Sequence, residues 1–185
     1  MTTVGAYALP ELLPFVEKKE MENISSLHYA PVIQVSVEIR KADLSQYRAF
    51  GGLVPSCEHR NILGILYPSA CFDGRSPKEG MLFFFFIGGV RKAELLEKSD
   101  EAIRALVKSD FHEMLNFTQQ VDTDLIEIFR HQRTIPQYGK DSGERLAAVE
   151  RLQKRYPRLL IAGNLKDGIG MADRIRQGVQ LGMTI

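Results

Sequence analysis

The sequence predicts an α+β fold in which a largely antiparallel or mixed sheet carries helices on one face. Three segments with strand patterning follow one another at short spacing, and the longest amphipathic helical segments come after them. No repeated strand–helix–strand crossover unit is present, which favours α+β over a doubly wound parallel sheet. The chain then closes with a short apolar strand, a glycine-rich turn and a helix, "LLIAGNLKDGIGMADRIRQGVQLG".

The early strands are indicated by alternation and by turn residues. The segment "PVIQVSVEIRKADL" alternates apolar and polar side chains from Val32 to Ile39, which is typical of a strand with one buried face. The segments "NILGILYPS" and "GMLFFFFIGG" follow, bounded by turn residues such as "FDGRSPKEG". Together they predict an antiparallel meander.

The later elements alternate between helix and strand patterns. The segment "SDEAIRALVKSDFHEMLN" begins with Ser99 or Asp100 as a helix N-cap and has an acidic first turn. Its apolar stripe consists of Ile103, Leu106, Val107 and Met114. The segment "DLIEIFRHQRTIPQYG" returns to strand alternation, and "SGERLAAVERLQKRYP" predicts a helix that Pro157 ends.

The pattern of the N-terminal residues is typical of the end of a strand. Residues 2–5 are a short β-branched segment, and leucines at helical spacing follow around Pro10. Because natural chains rarely begin inside a sheet, we expect a domain that is interrupted on its N-terminal side.

Composition indicates an ordinary soluble protein. The 185 residues are 44% hydrophobic and carry a formal net charge of +1, so no whole-chain field favours nucleic acid. Two distant cysteines and the lack of a signal-peptide pattern favour a reducing, cytoplasmic location. The longest apolar run, "MLFFFFIGGV", is about half the length of a membrane-spanning helix. Peripheral attachment to a membrane surface stays open.

The sequence lacks the motifs of metal sites, of serine hydrolases and of a complete dinucleotide site. The four histidines, which include His131, show no metal-ligand spacing, and no serine lies in a GxSxG context. A complete GxGxxG is also absent, because Met171, Ala172 and Asp173 follow Gly170. We therefore predict no metal site and no catalytic side chain.

Two glycine-rich segments each allow two interpretations. Gly168 and Gly170 either turn the chain and nothing more, or let a flat ligand approach the backbone at a helix N-terminus. The run "LFFFFIGG" is either a strand buried on both sides or one wall of an apolar pocket, with Gly88 and Gly89 opening space at its end. From the residues alone, the turn and the buried strand are the favoured interpretations.

An ordered set of phrases resembles the C-terminal half of the protoporphyrinogen oxidases, flavoenzymes of the amine-oxidase-like superfamily. The phrases are "AFGGLVPSCEHRNILGILYPSACF", "FIGG", "RTIPQY" and "LLIAGNLKDGIGMADRIRQG". They follow the family's order and spacing along almost the whole chain. The resemblance favours this family over desaturases and over amine oxidases, in which a cysteine near the terminal motif usually links the flavin.

The resemblance implies an FAD site at the end of the chain. Ile169, Gly170 and Met171 would pass along the flavin ring, and Gly163 and Asn164 would lie by the ribityl and pyrophosphate groups. The following helix N-terminus would stabilise negative charge on the reduced flavin.

Two further sets of contacts are implied by the resemblance. His131 matches an aromatic position near the flavin. Tyr47, Leu63 and Phe86 match the apolar pocket that holds the tetrapyrrole. In this family hydride passes from protoporphyrinogen to the flavin, and oxygen reoxidises the flavin with release of hydrogen peroxide.

The resemblance also implies a division of the chain. Residues 1–157 would form a substrate-binding domain and 158–185 the C-terminal FAD-binding segment, while the N-terminal Rossmann half, with its GxGxxG, would lie upstream. We therefore expect a fragment that is inactive alone and whose partners are a porphyrinogen and the missing half. The alternatives are a fragment of another flavoenzyme of the superfamily, or a non-catalytic module that self-associates into a homo-oligomer.

Overall fold

A computed structural model describes residues 1–41, 47–117 and 121–183. The chain divides into two compact units. Met1–Tyr29 and Ile135–Ile185 form the discontinuous unit, and Ala30–Thr134 form the contiguous unit. The compact units do not divide at residue 157, and the assignment of functions to 1–157 and 158–185 stays a prediction.

The strands form one sheet. They are β1 (Tyr29–Ile39), β2 (Gly51–Leu53), β3 (Ile62–Leu66), β4 (Met81–Gly88) and β5 (Leu125–Pro136), in the spatial order β2-β3-β4-β1-β5. The pairs β2/β3, β3/β4 and β4/β1 are antiparallel. Of the meander predicted from β1, β3 and β4, the antiparallel pairing of β3 with β4 is confirmed, whereas β1 pairs with β4 and not with β3.

The helices accompany the sheet in the expected α+β arrangement. They are α1 (Leu9–Leu12), α2 (Lys18–Ser25), α3 (Pro68–Cys71), α4 (Asp100–Leu115), α5 (Ser142–Arg155) and α6 (Met171–Gly182). Short 3-10 segments lie at Ala6–Ala8, Ser56–Glu58 and Val90–Glu97. Within the described ranges, no helix is long and apolar enough to cross a membrane.

The alternation of β1 is confirmed. Ile33, Val35 and Val37 are fully buried, while Gln34 and Ser36 on the other face are half-buried. The predicted strand continued to Leu44, and residues 42–44 lie outside the described ranges.

Strand β4 and helix α4 build the core of the contiguous unit. Phe83 and Phe85 are fully buried, and both rings contact Phe111 of α4, at centroid distances of 5.6 and 6.0 Å. Phe84 and Phe86 are only half-buried. The interpretation of β4 as buried on both sides is therefore wrong, because the core packs against one face of the strand.

The two glycines at the end of β4 do not both open space. Gly88 has a φ of +101°, and a Cβ there would lie 3.0 Å from a methyl group of Leu96. At Gly89 a Cβ would be in ordinary contact with Leu63, at 3.4 Å. The space expected at Gly88 is thus filled by packing.

The predicted helix ends are close to those observed. The side chain of Ser99 caps α4 by accepting a hydrogen bond from the amide of Ala102 at 3.3 Å. Of the two N-cap alternatives, Ser99 is therefore the one used. Helix α5 ends at Arg155, two residues before Pro157, as a proline stop requires.

The discontinuous unit has its own core. Leu9 and Ile24, from the N-terminal segment, are fully buried in one cluster with Leu152 and Ile161 from the C-terminal segment. The two parts of the sequence therefore fold together, and the C-terminal glycine turn is anchored on this core.

Candidate functional site

The glycine turn follows a very short extended segment. Ile161 pairs in parallel with Thr2, whose amide donates to the carbonyl of Leu160 at 2.8 Å and whose carbonyl accepts from the amide of Ala162 at 2.9 Å. The predicted strand at 159–162 is thus a single bridge in the described chain, because a strand forms only where a neighbour supplies hydrogen bonds.

A cavity of about 350 Å³ opens beside this turn. It is lined by three of the residues predicted to contact the cofactor, namely Gly163, Asn164 and Ile169. Two residues of α6, Arg174 and Gln177, complete its polar wall, and the other lining residues are Met1, Thr3, Ala162, Gly178 and Leu181. This volume lies in the range of ligand pockets.

Gly163 is required by its conformation and by a close contact. Its φ is +86°, and a Cβ would lie 2.6 Å from the carbonyl oxygen of Thr3. Only glycine permits this approach, which brings the N-terminal segment against the wall of the cavity.

Arg174 and Gln177 hold the turn in place. The side-chain oxygen of Gln177 accepts hydrogen bonds from the Gly163 amide and from Arg174, both at 2.8 Å. Arg174 also donates to the carbonyls of Gly163 and Lys166. Sequence reasoning missed both residues, although their i, i+3 spacing places them on one face of α6.

Asn164 lies between two tyrosines of the same unit. Its side-chain oxygen accepts from the hydroxyl of Tyr29 at 3.3 Å, and its carbonyl accepts from the hydroxyl of Tyr138 at 2.5 Å. Burial raises the pKa of Tyr29 and the pKa of Tyr138 above the ordinary tyrosine value, so both remain neutral donors at physiological pH. Asn164 is therefore fixed by groups that carry no charge.

A carboxylate lies in the first turn of α6, near the N-terminus of this helix. Gly170 is the N-cap and makes no side-chain cap, and Asp173 lies in the first turn. A Cβ at Gly168, where φ is +91°, would lie 2.4 Å from a carboxylate oxygen of Asp173. Gly168 thus allows Asp173 to approach the turn, and this carboxylate partly balances the positive end of the helix dipole.

The remaining predicted cofactor contacts are outside this cavity. Gly170 and Met171 precede and begin α6, and Met171 is 80% exposed. His131 is exposed on β5 and belongs to the contiguous unit. The role of His131 at the flavin stays a prediction.

The predicted substrate contacts all belong to the contiguous unit. Leu63 on β3 and Phe86 on β4 lie on neighbouring strands, exposed and half-buried respectively. Tyr47 packs against Phe117 with ring centroids 5.1 Å apart, and its hydroxyl donates to the carbonyl of Leu115 at 2.6 Å. Tyr47 therefore has a structural contact of its own, and its substrate role stays a prediction.

No metal centre is evident where the structure describes the chain, since no group of three or more His, Cys, Asp or Glu residues is placed to hold an ion. The two cysteines, Cys57 and Cys71, are exposed free thiols.

The chain belongs to the family of flavin containing amine oxidoreductases, whose model matches residues 1–178. Among its relatives is the mitochondrial protoporphyrinogen oxidase of Nicotiana tabacum, 27% identical over 159 residues that cover 84% of this chain and 31% of that protein. Human protoporphyrinogen oxidase is 26% identical over 194 residues that cover 100% of this chain and 39% of that protein.

A solved structure shares the fold. It is a protein from Exiguobacterium sp. 255-15 that is provisionally named protoporphyrinogen oxidase, with a TM-score of 0.77, 19% identity, and coverage of 98% of this chain and 39% of that one. The chain thus spans about a third of the length of these relatives.

The polar groups in the wall of the cavity suit a flavin-type ligand. Arg174 lines it, and the Nε atom of Arg174 is buried with no hydrogen-bond partner within the described chain. A buried donor without a partner carries a free-energy cost that an acceptor on a ligand removes. The glycine backbone at 163 leaves room for such a ligand to contact the main chain.

Proposed function

We propose that this chain is the C-terminal part of an FAD-dependent oxidase that converts protoporphyrinogen IX to protoporphyrin IX, with oxygen as the acceptor, in haem biosynthesis. The proposal rests on one observation above the others. A glycine-lined cavity with an unpartnered arginine donor lies at the terminal motif of a flavin-family chain whose relatives carry that enzyme's name.

In this proposal the discontinuous unit holds FAD. Gly163 and Asn164 lie beside the ribityl and pyrophosphate groups, where the Arg174 guanidinium offsets negative charge. Ile169, Gly170 and the start of α6 lie along the flavin ring. A flavin held by these residues would supply the capacity to accept hydride and to pass electrons to oxygen.

The chain's own residues position and enclose the reactants. Leu63 and Phe86 offer apolar surface to the flat face of the macrocycle, and Tyr47 and His131 contribute aromatic walls. No acid or base of the chain is assigned a proton transfer. Catalysis in this part of the enzyme therefore depends on orientation and on electrostatics.

We further propose that the chain alone is inactive. It spans about a third of its relatives' length, and a complete dinucleotide motif is absent from its sequence. The remaining polypeptide would supply most of the FAD contacts. Peroxide formation from protoporphyrinogen by the chain with added FAD contradicts this part of the proposal.

The first test is a titration of the purified chain with FAD, followed by flavin fluorescence. Ile169→Trp fills the cavity and is compared with Ile175→Trp, because Ile175 is 62% exposed on α6 and does not line the cavity. Saturable binding that only Ile169→Trp weakens supports a self-sufficient flavin site. Absence of binding supports the proposal that FAD binding requires the remaining polypeptide.

A chimera tests the function itself. The chain replaces the corresponding third of the Nicotiana tabacum mitochondrial enzyme, and retained FAD and protoporphyrin formation are measured. Retained FAD and turnover that Ile169→Trp abolishes support the proposal. A folded chimera that holds no FAD contradicts it.

A second candidate function is a non-catalytic module that associates through α6. Four apolar side chains at four-residue spacing are exposed along this helix and at its C-cap: Met171 by 80%, Ile175 by 62%, Val179 by 53% and, at the C-cap, Met183 by 83%. An exposed apolar stripe of this kind favours association. A concentration-dependent mass in sedimentation, lost in Val179→Asp, supports this candidate.

A further inference from the structure

A second and larger cavity lies in the contiguous unit. It has a volume of about 780 Å³ and opens where β1 ends and β4 begins. The segment 72–81 forms most of its wall, and Lys41, Arg48, Ser69 and Ala70 complete it. It shares no residue with the cavity at the glycine turn.

The wall of this cavity has an excess of positive charge. Its cationic side chains are Lys41, Arg48, Arg75 and Lys78, and its acidic ones are Asp73 and Glu79. Over the described residues, none of these four cations makes an ion pair. Cations that converge on one concave surface repel one another and attract an anion.

The loop that carries two of these cations is preformed. The hydroxyl of Ser76 donates to the carbonyl of Gly80 at 3.0 Å, and the Gly80 amide donates to the carbonyl of Pro77 at 2.9 Å. A Cβ at Gly80 would lie 2.4 Å from the carbonyl oxygen of Ile39, so the loop packs tightly on the end of β1. Arg75 and Lys78 are therefore presented by a rigid turn, which lowers the entropy cost of binding.

An aromatic side chain stands beside the cations. Phe72 is 62% exposed, and the guanidinium carbon of Arg75 lies 6.0 Å from its ring centroid. The ring restricts the directions available to the guanidinium, whose planar donor set matches phosphate and carboxylate groups.

This cavity is well separated from Phe86, one of the expected tetrapyrrole contacts, whereas another, Tyr47, directly precedes the lining residue Arg48. Phe86 is five residues along β4 from Met81, which lines the cavity. At the rise of an extended strand, this separation is about 17 Å.

We propose that this cavity, named the basic cavity, binds an anion that carries two or more phosphate or carboxylate groups. Arg75 and Lys78 contact one end of the anion, and Arg48 and Lys41 contact the other. The proposal does not depend on the flavin function, because none of the four cations it uses is assigned a cofactor or substrate contact.

The test measures binding of inorganic pyrophosphate and of citrate to the purified chain by calorimetry. The variant Arg75→Gln/Lys78→Gln is compared with Arg91→Gln/Lys108→Gln, which removes the same charge from exposed positions outside the cavity. A second variant, Arg48→Gln, removes a cation that the loop 72–81 does not carry. Circular dichroism verifies that each variant is folded.

The expected result is saturable binding whose Kd rises about tenfold in Arg75→Gln/Lys78→Gln, since two charged contacts are lost. Arg48→Gln also weakens binding, and the exposed control leaves it unchanged. Absence of saturable binding to both anions and to lipid, or equal loss in both double variants, overturns the proposal.

A vesicle assay identifies the source of the anion. Sedimentation with vesicles that contain cardiolipin, whose headgroup carries two phosphates, and with phosphatidylcholine vesicles uses the same variants. Binding to cardiolipin vesicles that only the cavity variants weaken assigns the anion to a lipid headgroup. Binding to the free anions without vesicle binding assigns it to a soluble metabolite.

Discussion

Individual glycines of this chain have opposite roles that depend on what a side chain would contact. At Gly163 a Cβ would collide with the backbone of Thr3, and φ is positive. At Gly178, inside α6, a Cβ would meet no atom within 4 Å. The first glycine is therefore required by the fold, whereas the second costs helix stability without a packing reason.

Gly163→Ala is expected to lower the free energy of unfolding by at least about 2 kcal/mol, because it adds backbone strain and a collision. Gly178→Ala is the matched control and is expected to raise it by about 0.5–1 kcal/mol. Urea denaturation measures both. Equal effects of the two substitutions would show that the close contact with Thr3 is unimportant.

The hydroxyl of Tyr29 accepts a hydrogen bond from the amide of Ala6 and donates one to the side-chain oxygen of Asn164. Burial raises the pKa of Tyr29. The folded-state pKa exceeds the unfolded-state value, so the stability that Tyr29 contributes is complete below pH about 10 and is lost as pH rises through the folded pKa.

Burial also raises the pKa of Tyr67 and of Tyr138, so we expect the absorbance of tyrosinate at 295 nm to show several late-titrating groups, one fewer of them in Tyr29→Phe. Loss of an early-titrating group in Tyr29→Phe contradicts the assignment.

Sequence patterns predicted the residues of the glycine turn but not the contacts that shape it. Gly163, Asn164 and Ile169 were identified by the resemblance, and they line one cavity. The partner of Gly163 is Thr3, about 160 residues away in the sequence, and no local pattern encodes such a contact. The local sequence predicts that Arg174 is an exposed helical residue. Its hydrogen bonds to the turn depend on how α6 packs.

At the scale of elements, side-chain alternation predicted the positions of most strands, but it predicted less well which strands pair with one another. The faces of β1 follow directly from alternation. The helix α4 was predicted, but its stripe is confirmed only at Ile103 and Val107: Phe111 and Leu115 complete the buried face, whereas Leu106 and Met114 are partly buried. The three-residue β2 is too short to show a period, and it was missed. The pairing of β1 with β4 joins residues about 50 positions apart, so it depends on the whole sheet and not on either segment.

The two faces of β4 provide a direct comparison of burial. Phe85→Ala is expected to lower the free energy of unfolding by about 3–5 kcal/mol, because it leaves a cavity beside Phe111. Phe84→Ala, on the half-buried face, is expected to cost distinctly less. Chemical denaturation compares the two variants. Similar losses would mean that the second face is also closed.

The whole molecule consists of two units, each with a separate hydrophobic core. The buried cluster that contains Phe83 and Phe111 lies entirely within 30–134, and the cluster that contains Leu9 and Leu152 lies entirely outside it. Composition and length do not predict this division, because neither quantity shows that a continuous segment holds a complete core of its own.

Residues 30–134 are therefore expected to fold as an isolated polypeptide. Thermal unfolding followed by circular dichroism should show one cooperative transition. The reciprocal polypeptide, 1–29 joined to 135–185 by a flexible linker, tests the other core in the same way. A gradual, non-cooperative melt of 30–134 contradicts its independence.

The discontinuous unit also imposes an order on synthesis. Leu9 and Ile24 are translated before residues 30–134, and their buried partners Leu152 and Ile161 only after them. At ordinary elongation rates this interval is on the order of ten seconds. During that time the apolar side chains of residues 1–29 lack these partners, while the contiguous unit has all the residues of its own core.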